Sequence, residues 1–406
     1  MSAPLRVFLV AGEASGDRLG AALMRGLRAE TGGETAFMGV GGAAMQAEGF
    51  DSLFPMAEIS VMGITEVLPR LRTILRRIEE TAEAMVAAEP DMIVTIDAPD
   101  FGLRAANKAR ERLGDRAAKT LFAHYVAPSV WAWRPGRAAK MARRTDHLLA
   151  LLPFEPPYFE AEGLSCDFVG HSVVEAAAGV DPDDRSLRAE LGIAADAPVV
   201  VALPGSRRGE VERLSAIFGE TLGLLARRRP GLQVITPAGE NVVPLVREKT
   251  AAWPVATHVL DPNELPFAQA ERRKFRAMAA ADVALAASGT VSLELAAMRT
   301  PMAIGYRTAW LTAQIVRRVI RVDSAVLANL VTETRAVPEF LQEYFAPEIV
   351  AQTLSDLMEP DSAARNAQLE VLSETMRRLG EGDAPPSRRA ARSLLAALER
   401  RRGGGV

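Results

Sequence analysis

The chain is poor in the residues that build disulfide or metal frameworks. Its 406 residues include one cysteine, Cys166, so no internal disulfide can form, which is typical of a reducing compartment. The four histidines are scattered, and no group of histidine, cysteine and carboxylate residues has the spacing of a metal site. We therefore expect neither a bound metal nor a cofactor.

Long apolar runs and a strong charge of either sign are also missing. No segment approaches the roughly 18 apolar residues that a membrane-spanning helix needs, and the first strand follows Met1 too closely to leave room for a signal peptide. The net charge of −3 argues against a nucleic-acid binder. These features predict a cytoplasmic globular protein, and a chain of 406 residues predicts two to three domains.

Short apolar runs of strand length alternate with helical patterns in two successive series. The first series ends near residue 175 and the second begins at Val199, with a polar, proline-containing linker around residues 181–184. Such alternation predicts an α/β fold of two Rossmann-like domains with a cleft between them. We place the domains at residues 1–178 and 179–380, and expect a C-terminal helix and disordered tail at 381–406.

The stretch Ser288-Gly289-Thr290 lies where an apolar strand turns into a short helix. Ser288 and Thr290 can cap that helix, Gly289 permits a tight turn, and a helix N-terminus attracts phosphate. Glu294, one turn further, could accept hydrogen bonds from ribose hydroxyls. The alternative is an ordinary capped helix with no ligand.

A second candidate site follows the buried strand at residues 92–96. Asp97 comes directly after it, where parallel α/β sheets bind ligands, and could act as a general base. Asp100 could cap the next helix. Both carboxylates could instead be simple caps or turn formers. Glu13 lies in the Gly- and Ser-rich turn after the first strand, another usual ligand position.

An amphipathic helix with an arginine-rich face is predicted from residue 64 onwards. Apolar residues recur with helical spacing to residue 78, and the other faces carry Arg72, Arg76 and Arg77. Such a face can sit on anionic lipid. It could equally be the solvated side of a helix packed on a sheet.

Taken together, several stretches resemble one family, the lipid-A-disaccharide synthases, which are glycosyltransferases of the two-domain GT-B type. The likeness covers nearly the whole length, and the joint order and spacing of its motifs are more specific than any one of them. The stretches are residues 11–17, 61–63, 96–101, 124–126, 128–134, 152–155, 203–207, 288–290 with Glu294, and 305–307.

The resemblance implies a reaction. The donor would be UDP-2,3-diacylglucosamine and the acceptor 2,3-diacylglucosamine 1-phosphate, known as lipid X. The products would be the β-1,6-linked disaccharide 1-phosphate and UDP, in lipid A and lipopolysaccharide biosynthesis. Because the donor linkage is α, the transfer would invert the anomeric carbon.

The resemblance also implies roles for individual residues. Asp97 matches the family's proposed base, and Glu13 would orient the acceptor. Asn329 matches a polar position near the donor, although the family's usual Leu-Pro-Asn is Leu-Ala-Asn here, which leaves the geometry of that loop open. Residues 261–273 look longer than the family's loop at this place. The residues implied to bind UDP are Ser206, Arg207, Ser288, Gly289, Thr290 and Glu294.

Because both substrates carry acyl chains, the enzyme would dock on a membrane. Val61 and Met62 together with Arg72, Arg76 and Arg77 are the candidate contacts with an anionic surface, on the inner face of the inner membrane. A homodimer is possible for this family. Two alternatives remain on the residues alone, a UDP-sugar 2-epimerase and a non-catalytic UDP-sugar-binding protein.

Overall fold

The computed structural model describes residues 4–60, 64–133, 136–308 and 322–403, with the backbone alone for residues 64–70. The chain divides into two compact units. The first comprises residues 1–172 together with 382–406, and the second comprises residues 173–381. The division falls near the predicted linker, six residues before the expected boundary of 178.

The first unit is built on a parallel sheet of six strands in the order β2-β1-β3-β4-β5-β6. Most residues of these strands are apolar and buried, because helices cover both faces. The strands are β1 Leu5–Ala11, β2 Thr35–Val40, β3 Met92–Ile96, β4 Leu121–Tyr125, β5 His147–Ala150 and β6 Ser165–Phe168.

Helices connect these strands and bury their apolar stripes on the sheet. Short 3₁₀ turns lie at Met56–Glu58 and Gly114–Lys119. The helices of this part of the chain are α1 Ala14–Thr31, α2 Ala43–Ala47, α3 Ile64–Ala88, α4 Pro99–Leu113, α5 Arg137–Ala142 and α6 Pro156–Glu160.

The second unit repeats the architecture with a parallel sheet in the order β12-β11-β10-β7-β8-β9. Its core lies between this sheet and the helices around it, with Phe218, Phe275 and Phe345 among the largest fully buried side chains. The strands are β7 Val199–Leu203, β8 Gln233–Pro237, β9 Ala256–Leu260, β10 Val283–Ala287, β11 Met302–Tyr306 and β12 Glu339–Leu341.

Most connections in the second unit are helical. They are α7 Ser172–Ala176 at the junction, α8 Ser186–Glu190, α9 Arg208–Arg228, α10 Val243–Thr250, α11 Phe267–Ala279, α12 Val291–Ala297, α13 Leu327–Thr332, α14 Pro347–Met358 and α15 Ala363–Arg378, with 3₁₀ turns at Glu240–Val242, Pro262–Glu264 and Gln342–Tyr344. The prediction of a long loop at 261–273 is wrong, since α11 begins at Phe267.

The last helix, α16 Pro386–Gly403, returns to the first unit and packs on α1. A Cβ at Gly26 would lie 2.3 Å from the carbonyl oxygen of Ser387, so glycine permits the close approach of the two helices. Glu30 of α1 accepts hydrogen bonds from Arg388 at 2.7 Å and Arg392 at 2.9 Å. The sequence pattern predicts that the disordered tail starts at Arg402, but Arg402 and Gly403 still belong to this helix.

The predicted fold class is confirmed in its essentials, since each unit is a parallel α/β sheet covered by helices. The predicted cleft between the domains stays a prediction. Among the described helices, none is long and apolar enough to cross a bilayer.

Candidate active site

In the first unit, the turns after β1 and β3 bring Asp97 against the start of α1. The two strands are neighbours in the sheet, so their carboxyl ends share one edge. Asp97 is half-buried, and its Oδ2 accepts a hydrogen bond of 2.6 Å from the Ser15 hydroxyl. No other described residue donates a hydrogen bond to the Asp97 carboxylate, so Oδ1 is open to a ligand.

The backbone at this edge is strained. Asp97 has φ of 53° and Val126, directly after β4, has φ of 87°. This left-handed region is uncommon for non-glycine residues and costly for a β-branched one. Hydrogen bonds hold both residues there, from Asp97 N–H to the Tyr125 carbonyl at 2.8 Å and from Val126 N–H to the Leu149 carbonyl at 3.1 Å. Strain held in this way is typical of functional sites.

Two residues of the Gly- and Ser-rich stretch, Gly16 and Glu13, differ in their surroundings. A Cβ at Gly16 would lie 3.1 Å from the Ile96 carbonyl oxygen and 3.4 Å from the Asp97 Cβ, so glycine lets α1 approach Asp97. Glu13 is half-buried at the N-cap position of α1, in extended conformation and without a side-chain capping bond.

Asp17, in the first turn of α1, has a structural role. It is 5% exposed and accepts hydrogen bonds from the backbone N–H groups of Gly42 at 2.7 Å, Ala44 at 2.8 Å and Met45 at 3.1 Å. These contacts bind the first turn of α2 to α1. These hydrogen bonds explain Asp17 as a structural residue of the motif. It needs no role in the candidate site at the edge of the sheet.

His124 lies below Asp97 on the neighbouring strand and is fully buried. Its Nδ1 is 2.7 Å from the Thr95 hydroxyl, while Nε2 has no hydrogen-bond partner among the described residues. Burial lowers the pKa of His124 to about 4, although the Asp97 charge acts in the opposite direction. The ring is therefore uncharged near neutral pH. It does not provide a positive charge beside Asp97.

A buried carboxylate organises the tryptophan-containing loop that follows β4. Glu155 is 4% exposed and accepts hydrogen bonds from the Trp131 indole at 3.1 Å and from the backbone N–H groups of Leu151 at 3.2 Å and Leu152 at 3.0 Å. Phe154 packs edge-on against Trp131. Burial raises the pKa of Glu155 to about 7, against the effect of these hydrogen bonds.

In the second unit, the turns after β7 and β10 lie side by side, because these strands are paired. Ser206 and Arg207 lie in the first turn. Their backbone N–H groups donate to Glu210 Oε2 at 3.1 Å and 3.3 Å, and Gly205, at φ of 124°, leaves room for the Glu210 side chain. The Arg207 side chain is 67% exposed, with Nη1 3.7 Å from Glu210. Its guanidinium can therefore reach an anion.

The second of these turns, Ser288-Gly289-Thr290, lacks the predicted caps. Thr290 is the N-cap residue of α12 but makes no side-chain capping bond, and Ser288 Oγ donates instead to the Ala325 carbonyl at 2.7 Å. The capping prediction is therefore wrong. Because α12 has only seven residues, its dipole adds little, and any anion here would rely on the backbone N–H groups and on Arg207.

Glu294 is on the first turn of α12, as predicted, but it is not alone. Its Oε1 lies 3.0 Å from Nζ of Lys274 on α11, and the same Nζ lies 3.3 Å from Oε2 of Glu271. The sequence pattern identified Glu294 but not Lys274, which lies 20 residues earlier, directly after the segment 261–273 that was expected to be a loop.

Asn329 is 1% exposed and both ends of its amide are used. Nδ2 donates to the Val337 carbonyl at 2.9 Å and to Glu339 at 3.2 Å, and Oδ1 accepts from Val337 N–H at 3.0 Å. Glu339, on β12, also accepts from Ala325 N–H at 2.8 Å and from the Ser324 hydroxyl. These contacts favour a role for Asn329 in positioning the loop.

On helix α3, the three arginines predicted to contact a membrane differ in their surroundings. Leu71 and Leu75 are 41% and 50% exposed, and Arg72 and Arg76 are exposed beside them. Arg77 instead donates to Glu58 at 2.9 Å and 2.7 Å, as well as to Glu80 at 2.6 Å. Arg77 is therefore unsuited to a lipid contact.

The remaining two membrane candidates, Val61 and Met62, lie outside the described residues.

Within each unit, the structure brings the predicted residues to one edge of a sheet: Glu13 and Asp97 in the first, and Ser206, Arg207, Ser288, Gly289, Thr290 and Glu294 in the second. Ser15, Lys274 and Glu339 were missed, because each acts through a contact distant in sequence.

Solved structures share this architecture across nearly the whole chain. UDP-GlcNAc 2-epimerase from Neisseria meningitidis, bound to UDP-GlcNAc, matches with a TM-score of 0.63 at 14% identity, covering 97% of this chain and 99% of that one. The calicheamicin glycosyltransferase CalG4 matches with a TM-score of 0.57 at 15% identity, covering 98% and 99%. The fold is therefore that of GT-B glycosyltransferases and UDP-sugar epimerases.

Sequence comparison separates these classes. The family described as Lipid-A-disaccharide synthetase matches residues 7–390. The Lipid-A-disaccharide synthase of Ruegeria pomeroyi is 52% identical over 394 residues, which cover 97% of this chain and 96% of that protein. The chain belongs to the lipid-A-disaccharide synthase family. It is a glycosyltransferase of lipid A biosynthesis, and the epimerase and binding-protein alternatives are set aside.

Proposed function

We propose that the chain transfers 2,3-diacylglucosamine from UDP-2,3-diacylglucosamine to the 6-hydroxyl of lipid X. The acceptor oxygen attacks C1 of the donor sugar, the bond from C1 to the diphosphate oxygen breaks, and UDP leaves. The product is the β-1,6-linked disaccharide 1-phosphate. Because the donor is an α-glycoside, this single displacement inverts C1.

Asp97 is the proposed base, and its placement is the observation that carries the proposal. The carboxylate lies at the carboxyl end of a central strand, half-buried, with Oδ2 held by Ser15 and Oδ1 open among the described residues. A base needs this combination of a fixed position and an unused lone pair to take the hydroxyl proton during attack. Glu13, from the neighbouring turn, is proposed to orient the acceptor.

The second unit is the proposed donor domain. Arg207 and the backbone N–H groups around Ser288, Gly289 and Thr290 would stabilise the charge that develops on the leaving diphosphate. Ser206 lies beside Arg207 in the same turn, and Glu294 would accept hydrogen bonds from ribose. Asn329 would act through the loop that it holds against β12.

The proposed site of action is the inner face of the inner membrane, because both substrates are acylated. The exposed residues Leu71, Arg72, Leu75 and Arg76 of α3 form the docking surface of this proposal, with apolar and cationic groups on one helix. Val61 and Met62 stay predicted contacts, and a homodimer stays a prediction.

The test is release of UDP from UDP-2,3-diacylglucosamine with and without lipid X. We expect release to require lipid X in the wild type, and to fall by about a thousandfold or more in Asp97→Asn, which cannot accept the proton. UDP affinity should be unchanged in that variant. Asp100→Asn is the matched control, since Asp100 is an exposed carboxylate on the first turn of α4, and it should retain activity.

Each outcome is informative. Release that depends on lipid X but survives Asp97→Asn would keep the reaction and refute the base. Release that never depends on lipid X would refute the proposed acceptor.

A further inference from the structure

Lys274 lies between two carboxylates at the edge of the proposed donor site. Nζ is 3.0 Å from Oε1 of Glu294 on α12 and 3.3 Å from Oε2 of Glu271, one turn earlier on its own helix. It therefore joins α11 to the residue proposed to bind ribose.

This ion pair is partly shielded from solvent. The side chains of Lys274 and Glu294 are 24% and 25% exposed, and Nζ lies 5.2 Å from the ring centre of the buried Phe275. Burial by itself would lower the pKa of Lys274, but the carboxylates of Glu294 and Glu271 outweigh it and raise that pKa. The lysine is therefore a permanent cation near neutral pH.

The two carboxylate oxygens of Glu294 differ in their contacts. Oε1 is held by Lys274, and no described residue donates a hydrogen bond to Oε2. When one oxygen of a carboxylate is held in place, the other oxygen points in a defined direction. Hydrogen-bond partners behind a binding site orient the side chains that bind a ligand in the same way. The vicinal hydroxyls of a ribose are hydrogen-bond donors of the kind that such an oxygen accepts.

We propose that Lys274 is a positioning residue that orients Glu294 toward the ribose hydroxyls of the donor nucleotide. The inference rests on the proposed function of the second unit as a UDP-sugar site. Lys274 itself touches no substrate in this proposal. Without its charge, Glu294 would lose its anchor and face the like charge of Glu271, and the open oxygen would no longer point to one place.

The readout is discrimination between two ligands, not activity alone. We would measure by calorimetry the dissociation constants of UDP and of 2′,3′-dideoxy-UDP, which lacks both ribose hydroxyls. The wild type should prefer UDP by about tenfold or more, the range for hydrogen bonds to a charged group. Glu294→Gln should lose most of this preference. Lys274→Met should lose a comparable part, and Lys274→Arg should restore it in part.

Two further variants make the comparison sharp. Lys249→Met is the matched control, because Lys249 pairs with Glu248 on α10 and has no contact with Glu294; it should bind as the wild type does. Lys274→Gln replaces Lys274→Met if the methionine variant does not fold, which circular dichroism would report. A general loss of structure would weaken both ligands equally and leave their ratio unchanged.

The outcomes separate the two proposals. A Lys274 variant that keeps the full preference for UDP, while Glu294→Gln loses it, would overturn this inference alone. A wild type that binds no UDP would overturn the donor-site proposal and this inference with it. Loss of the preference in both variants, with the Lys249 control intact, would support the positioning role.

Discussion

The Ser15 hydroxyl donates a 2.6 Å hydrogen bond to Oδ2 of Asp97, across 82 residues of sequence. The bond joins the first turn of α1 to the turn after β3, and it fixes one oxygen of the proposed base while the other stays open. Ser15 is therefore a positioning residue for Asp97. The arrangement at this edge of the sheet therefore depends on the contact between the two residues.

From this contact we predict that Ser15→Ala lowers kcat by about ten- to a hundredfold, because a hydrogen bond to a charged group contributes roughly 1.5–3 kcal/mol. The dissociation constant of UDP should not change, since Ser15 belongs to the other unit. Ser15→Thr keeps a hydroxyl and should recover part of the rate. Steady-state kinetics with both substrates would test this, and an alanine variant with wild-type kcat would contradict it.

The central strands could be predicted from sequence because they are buried on both faces. The apolar runs at Met92–Ile96 and Val199–Leu203 match β3 and β7 to the residue. Ser165–Phe168 and Glu339–Leu341 were not predicted as strands. Both are short edge strands with polar residues, and without a second covered face they lack the apolar run that reveals a buried strand.

The site was predictable only where its residues follow a strand or match a motif. Asp97 and Glu294 could be found this way, whereas Lys274 could not. It follows directly on residues 261–273, where two prolines and several charges resemble a loop. Pro266 is the N-cap residue of α11, so proline there marks a helix start and not a break. The partners that orient a functional residue are set by tertiary contact, which local patterns do not record.

The exposed surface of α3 predicts electrostatic binding to lipid. Arg72→Glu together with Arg76→Glu should lower binding to anionic phosphatidylglycerol vesicles at least tenfold, since each cation near such a surface contributes about 1 kcal/mol. Vesicle flotation would measure this. Arg227→Glu with Arg228→Glu, at the exposed end of α9, is a control with the same change of charge. Equal binding by both variants would remove α3 from the docking surface.

Burial of Glu155 predicts a pH-dependent stability. Its pKa is raised from 4.5 to about 7, so between these values the folded state keeps a proton that the unfolded state has released. The free energy of unfolding should therefore fall as pH rises from about 4.5 to about 7, by roughly 2–4 kcal/mol for this one group, and level off above. Urea denaturation of the wild type at pH 5 and pH 8 would measure the change.

Glu155→Gln isolates this contribution. The glutamine cannot ionise, so the difference in stability between wild type and variant should shift in favour of the variant on going from pH 5 to pH 8. Other titrating groups affect both proteins alike and cancel in that difference. A difference that is the same at both pH values would show that Glu155 titrates equally in the folded and unfolded chains.

Ala328, where the family usually has proline, is the second residue of α13. A proline in the first turn of a helix loses no intrahelical hydrogen bond. The loop around it is held instead by Asn329 and Glu339, so the alanine need not alter its geometry. We therefore predict that Ala328→Pro leaves kcat and KM unchanged and raises the free energy of unfolding by about 0.4–1 kcal/mol through the unfolded chain.

Val331→Pro, in the same helix but beyond its first turn, is the contrasting variant. It removes a backbone donor inside the helix and should destabilise the protein by about 3 kcal/mol. Thermal and urea denaturation of the two variants, beside kinetics of Ala328→Pro, would decide the matter. If Ala328→Pro raised KM for the donor, the alanine would be an adaptation of the donor loop, and the hydrogen bonds of Asn329 and Glu339 would not suffice to hold it.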